Sequence, residues 1–177
     1  MLITASGIAA HELDEKAIVQ MHLDGTFAPT QLKPSSEWRF HAAVYQARND
    51  LNAVVHAHPP YSTALACARM AIPAFQYTVA LSGAATIPCA PYATFGTVEL
   101  AASVVDTLGN EGRACLMANH GILCAGTDLD AALALAVEVE YLARVYTLSL
   151  QTGNTVILED EEMQRVLERM QDYGQGN

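Results

Sequence analysis

Positive charge is what this chain has least of. Nine lysines and arginines stand against nineteen aspartates and glutamates, a formal net charge of −10. Nucleic acid and anionic membrane surfaces both need a basic footprint, so neither is expected as a partner. The only lysines are Lys16 and Lys33, read as solvated surface groups rather than Schiff-base amines. The four cysteines, Cys67, Cys89, Cys115 and Cys124, contain no CxxC pair and lie among apolar neighbours. That excludes a disulfide framework and reads as reduced, buried thiols of a cytoplasmic protein. No apolar run approaches the roughly 18 residues expected of a membrane span. The opening MLITASGI has neither the basic start nor the long apolar stretch of a signal peptide.

What is present is enough for a core. With 51% apolar residues in 177, the chain is expected to form one domain, 1–177. Strand and helix patterns alternate without a linker. Residues 2–4 read as a strand stopped by Ser6-Gly7. Ser35-Ser36-Glu37-Trp38 reads as a helix start, with hydroxyls available as caps, an acid in the first turn, and Trp38, Ala42 and Tyr45 at helical spacing to about Arg48. Residues 52–58 form a strand ended by Pro59-Pro60, and 62–70 a small-residue helix. A helix over 97–108 closes at Gly109-Asn110. Short strands at 114–118 and 122–125 flank His120-Gly121. Asp128 caps the longest helix, to about Leu150, with Leu133, Val137, Tyr141 and Arg144 in register. A last helix, 160–172, is acidic first and basic later, as the helix dipole favours. Such interleaving gives an α/β or α+β layered sheet.

His56-Ala57-His58 carries the most chemistry. Side chains alternate along a strand, so imidazoles at i and i+2 share a face. A third histidine, brought in by the fold, would complete a three-nitrogen site with one position left open, the pattern of catalytic zinc. Taken alone, the pair is as readily structural.

The motifs PSSEWRFH (34–41), VVHAHPPYSTA (54–64), IPCAPYATFGT (87–97) and ANHGIL (118–123) occur in an order that resembles the class II aldolase/adducin family. The similarity is greatest to its L-fuculose-1-phosphate aldolase branch and runs over nearly the whole chain. The resemblance implies a three-layer α/β/α fold with a mainly antiparallel central sheet, assembled as a homotetramer. It implies one Zn2+ or other divalent ion per chain, held by His56, His58, His120 and Glu37. It also implies a phosphorylated sugar as substrate. Glu37 would act as acid/base once substrate displaces it, since leaving the cation raises a carboxylate's pKa again. Without the motif, Glu37 reads as a first-turn partner of the dipole. By the same resemblance, Ser6, Gly7, Ser35 and Ser36 contact phosphate, and Tyr77, in AFQYTVA, protonates the aldehyde oxygen from a neighbouring subunit. Phe95 lines the aldehyde pocket and Tyr173, in QDYGQGN, helps close it. Apart from the motifs, the serines read as ordinary caps and turns and the aromatics as packing residues. His11, His22 and His41 have no motif and are taken as structural.

Family members carry a leading helix and a Gly-rich, Asn-containing turn ahead of the segment that starts here at Met1, so part of the phosphate pocket is expected to be lacking. Three readings follow. One is a metal-dependent aldolase giving dihydroxyacetone phosphate and an L-lactaldehyde-like aldehyde. Another is an epimerase or methylthioribulose-phosphate dehydratase on the same scaffold, although the family's epimerases tend to have Asp where Glu37 stands. The last is a non-catalytic adducin-like module, which would have lost the histidines retained here.

Overall fold

The computed structural model describes residues 1–171. They fall into two compact units, 1–49 with 93–105, and 50–92 with 106–171. The class is α/β, as expected.

In the first unit, β1 (Leu2–Thr4) pairs antiparallel with β2 (Ile18–Gln20), Ile3 facing Val19. Alternation sends Ile3 and Val19 inward and leaves Leu2 and Ile18 exposed. The resulting core is small: Ile3, Ala5, Val19 and Met21, with Trp38 packed against it. α1 (Trp38–Ala47) buries Phe40, Ala42 and Val44. Only Ala42 of the expected stripe is fully buried; Trp38 and Tyr45 are half-buried. Glu37 occupies the N-cap position rather than the first turn, and its side chain makes no cap bond. Ser35 Oγ instead accepts the Glu37 N–H, at 3.3 Å.

The second unit holds β3 (Ala53–Ala57), α2 (Pro60–Cys67), a 3₁₀ turn at Tyr77–Ser82, β4 (Cys89–Ala90), β5 (Ala114–Met117), β6 (Gly121–Gly126), α4 (Leu129–Leu150) and α5 (Asp160–Gln171). α3 (Val98–Leu108) precedes β5 and closes at Gly109, whose φ is +60°. The sheet order is β3-β6-β5-β4. β6 pairs antiparallel with both β3 and β5, and only β4–β5 is parallel, so the sheet is mainly antiparallel. Every residue of β5 and β6 is buried, as central strands require. α2 and α4 pack on this sheet and on each other, closing a core that includes Leu65, Leu116, Ile122, Leu135, Val139 and Leu142. Asp128 caps α4 by accepting the Ala131 N–H at 2.8 Å.

Two expectations are corrected. Leu133, Val137 and Tyr141 form the outward face of α4, each more than half exposed; Leu135, Val139, Leu142 and Tyr146 are the inward one. Cys67 is exposed and Cys89 half-buried, so only Cys115 and Cys124 are buried thiols. Burial pushes the Cys115 thiol up to about 12 and the Cys124 thiol higher still. Among the described residues no helix is long and apolar enough to cross a membrane.

Candidate metal centre

The β3–β6 register brings the three histidines of the second unit together. His56 lies opposite Leu123 and Ala57 opposite Ile122. Continuing that antiparallel pairing by one residue lays His58 alongside Gly121, next to the turn that carries His120. The ring centroids are 4.6 Å apart for His56–His58, 4.9 Å for His56–His120 and 5.1 Å for His58–His120. One ring nitrogen from each lies within 4.8 Å of those of the others. His58 is exposed and the other two are half-buried.

Two local features set this geometry. His56 Nδ1 lies 2.7 Å from the Ile122 carbonyl oxygen. A carbonyl can only accept, so Nδ1 carries the hydrogen and, in the neutral ring, Nε2 is the nitrogen able to act as a metal ligand. Metal-bound histidines are commonly fixed by such a bond to their other nitrogen. Gly121 supplies the second feature. A Cβ there would come within 2.5 Å of the Ala57 oxygen and 2.6 Å of His58 Cδ2, so only glycine lets the His120 turn approach the end of β3. Three converging imidazole nitrogens suit a zinc-type ion. The donor set fits the expected metal.

Glu37, in the first unit, is 9% exposed, and its carboxylate is not used to cap its own helix. The Ser6-Gly7 and Ser35-Ser36 turns lie on neighbouring segments of that unit. The Ser6 N–H donates to the Lys33 oxygen and the Ser35 N–H to the Thr4 oxygen, both at 2.9 Å. Gly7 has φ +76°, a conformation open to glycine at little cost. Phe95, also in this unit, is 65% exposed. Its loop is held by Arg39, whose Nη1 donates to the Gly96 oxygen at 2.9 Å.

Tyr77 is the first residue of the 3₁₀ turn in the second unit and is 53% exposed. Thr78 beside it donates to Glu138 Oε1 of α4 at 2.9 Å, which ties the turn to that helix. Tyr173 lies outside the described residues. Of the three unassigned histidines, His11 and His22 are exposed, and His41 stacks on Phe40 at 4.7 Å.

Glu140 and Asn119 escaped the sequence reading. Glu140 sits on α4 and binds the start of α2; a carboxylate on a long helix gives no local sign of such a role. Asn119 did have a signal, since it stands inside the quoted ANHGIL.

Residues 1–147 match the sequence model of the Class II Aldolase and Adducin N-terminal domain. Over 175 residues the chain is 47% identical to the 5-methylthioribulose-1-phosphate/5-deoxyribulose-1-phosphate aldolase of Rhodospirillum rubrum, an alignment covering 98% of this chain and 78% of that protein. It is 46% identical to the L-fuculose phosphate aldolase of Escherichia coli, covering 98% and 80%. A solved L-fuculose 1-phosphate aldolase superposes with a TM-score of 0.91 at 42% identity, over 97% of this chain and 80% of that one. Motif order, fold and a cluster of histidines fit to hold a metal agree with these likenesses, and the chain belongs to the class II aldolase and adducin family.

Proposed function

We propose that this class II aldolase cleaves a ketose 1-phosphate, L-fuculose 1-phosphate first among them, to dihydroxyacetone phosphate and a short aldehyde such as L-lactaldehyde. The convergence of His56, His58 and His120 carries the reading, because an adducin-like module has no use for it. The ion would be Zn2+, one per chain, held by His56, His58, His120 and Glu37. When bound, it would supply Lewis-acid polarisation of the oxygens beside the bond to be broken.

The remaining chemistry belongs to side chains. In synthesis, the Glu37 carboxylate takes a proton from the dihydroxyacetone phosphate carbon that forms the new bond. The electron pair left there bonds to the aldehyde carbon, the carbonyl pair moves to the aldehyde oxygen, and the Tyr77 hydroxyl gives that oxygen its proton. In cleavage each transfer reverses. Ser6, Gly7, Ser35 and Ser36 bind the phosphate through hydroxyls and amides. Phe95 lines the aldehyde side, and Tyr173 helps to close it. We place the enzyme in the cytoplasm as a homotetramer, with Tyr77 serving a neighbouring subunit's site. The exposed Leu129, Leu133, Val137 and Tyr141 of α4 favour such association, since a monomer rarely exposes a continuous apolar stripe.

A second sugar has specific support. The aldolase named for 5-methylthioribulose 1-phosphate and 5-deoxyribulose 1-phosphate is as similar to this chain as the fuculose enzyme is, 47% against 46%. Cleavage of 5-deoxyribulose 1-phosphate would need the same groups and release a smaller aldehyde. The test is release of dihydroxyacetone phosphate from each sugar, before and after a chelator. Chelator-sensitive turnover of either supports aldol cleavage and ranks the substrates. Metal-loaded protein that cleaves neither overturns it.

A further inference from the structure

We propose that α2 braces the metal centre, with Glu140 and Asn119 as positioning residues acting at its two ends. This rests on the reading of His56, His58 and His120 as metal ligands. α2 starts two residues after His58. Its N-cap, Pro59, makes no side-chain cap bond, and Pro60 is its first residue. The first-turn N–H groups therefore need an acceptor from elsewhere. Glu140 of α4 provides it. Its Oε1 accepts the Tyr61 N–H at 2.9 Å, and its Oε2 accepts the Ser62 N–H at 2.8 Å and the Ser62 hydroxyl at 2.6 Å. Ser62 is wholly buried, and a carboxylate at a helix start is also favoured by the dipole.

The far end of α2 holds the other histidine-bearing segment. The Asn119 N–H donates to the Ala66 oxygen at 3.0 Å, and Asn119 Nδ2 to the Cys67 oxygen at 3.4 Å. Arg69 Nε donates to Asn119 Oδ1 at 3.1 Å. Among the described residues, Arg69 and Asn119 are also the non-glycine residues at positive φ, +55° and +54°. Side chains other than glycine disfavour that conformation, and it persists where surrounding bonds impose it. His58 leads directly into one end of this helix and His120 follows the residue bound to the other. The helix and its carboxylate anchor on α4 thus fix how far apart the two imidazoles stand.

The test uses full-length protein loaded with Zn2+ or Co2+. In Glu140→Gln one acceptor becomes a donor facing donors. Metal affinity, measured by chelator competition, should fall about 10- to 100-fold, the range typical of groups that orient ligands. The visible absorption of bound Co2+ should also change, which reports ligand geometry independently of turnover. Ser62→Ala, which removes one of three bonds to Glu140, should shift both readouts less and in the same direction. Asn119→Gly keeps the backbone conformation but loses both side-chain bonds, and should do likewise. Leu135→Ala, in the core on the same helix, should lower thermal stability and leave metal affinity and spectrum unchanged. Should Glu140→Gln fail to fold, Ser62→Ala and Asn119→Gly decide the matter. Wild-type affinity and spectrum in the folded variants would overturn the brace alone. A wild-type chain that binds neither ion would overturn the metal centre, and the brace with it.

Discussion

The two units present the residues of the proposed function in different ways. The second places the histidines on and beside paired strands, in a sheet whose two central strands are buried throughout. The first offers hydroxyls and amides from turns beside a two-stranded ribbon with a core of a few side chains. Metal ligands must converge to within tenths of an ångström, and strand register supplies that precision. A phosphate is large and solvated and can be met by several adjustable donors, so turns suffice. The prediction is that small changes of backbone release metal in the second unit and leave it bound in the first.

Glycine substitutions test this most severely. Gly121→Ala must push its methyl into the Ala57 carbonyl and the His58 ring. We expect loss of stability by about 1–3 kcal/mol and loss of bound metal, read by denaturation and metal analysis. Gly7 has nothing within 4 Å of a Cβ and only a φ of +76° to satisfy. Gly7→Ala should cost about 1–2 kcal/mol for the left-handed backbone and keep its metal. Equal metal loss in both would erase the distinction.

Glu37→Gln tests whether a first-unit residue does chemistry. Three imidazoles suffice to hold the ion, so metal content should stay near wild type. The amide cannot carry the proton, so kcat should fall by about 10²–10⁴. Near wild-type turnover would assign the proton to another group. Tyr77→Phe should slow turnover at the low end of the same range, about 10², without changing assembly. Mixed with Glu37→Gln subunits, it should regain activity above either parent if the two residues serve one site from different chains. Verified hetero-oligomers without rescue would refute the shared site.

Sequence legibility followed the same division. The His56-x-His58 pair was readable because strand periodicity is local, and most elements fell within a few residues of expectation. β2 and β4, of three and two residues, are too short to show alternation; β1, as short, is legible because Ser6-Gly7 stops it. On α4, alanine, leucine and valine occur on all sides, so spacing alone chose Leu133, Val137 and Tyr141 although they face outward. Glu140 was invisible because its partner Ser62 lies 78 residues away; nothing near either residue records the bond. Glu37 was chosen through its motif, and its burial at the N-cap without a capping bond distinguishes it from an ordinary helix acid.

The smallest predicted effect is Ser36→Ala. Ser36 is exposed, so water can replace its hydroxyl at a bound phosphate, and the loss should lie in the range of an ordinary hydrogen bond, about 0.5–1.5 kcal/mol. That is roughly a 2- to 10-fold rise in KM. Because the phosphate is remote from the bond that breaks, kcat should hold, the pattern of an interaction equal in ground and transition states. Inhibition by inorganic phosphate should weaken by the same factor, whereas affinity for Zn2+ should not move. A fall in kcat with unchanged phosphate inhibition would mean that Ser36 acts on the reacting carbons, and the division between a turn-built anion site and a strand-built metal site would then fail at its simplest point.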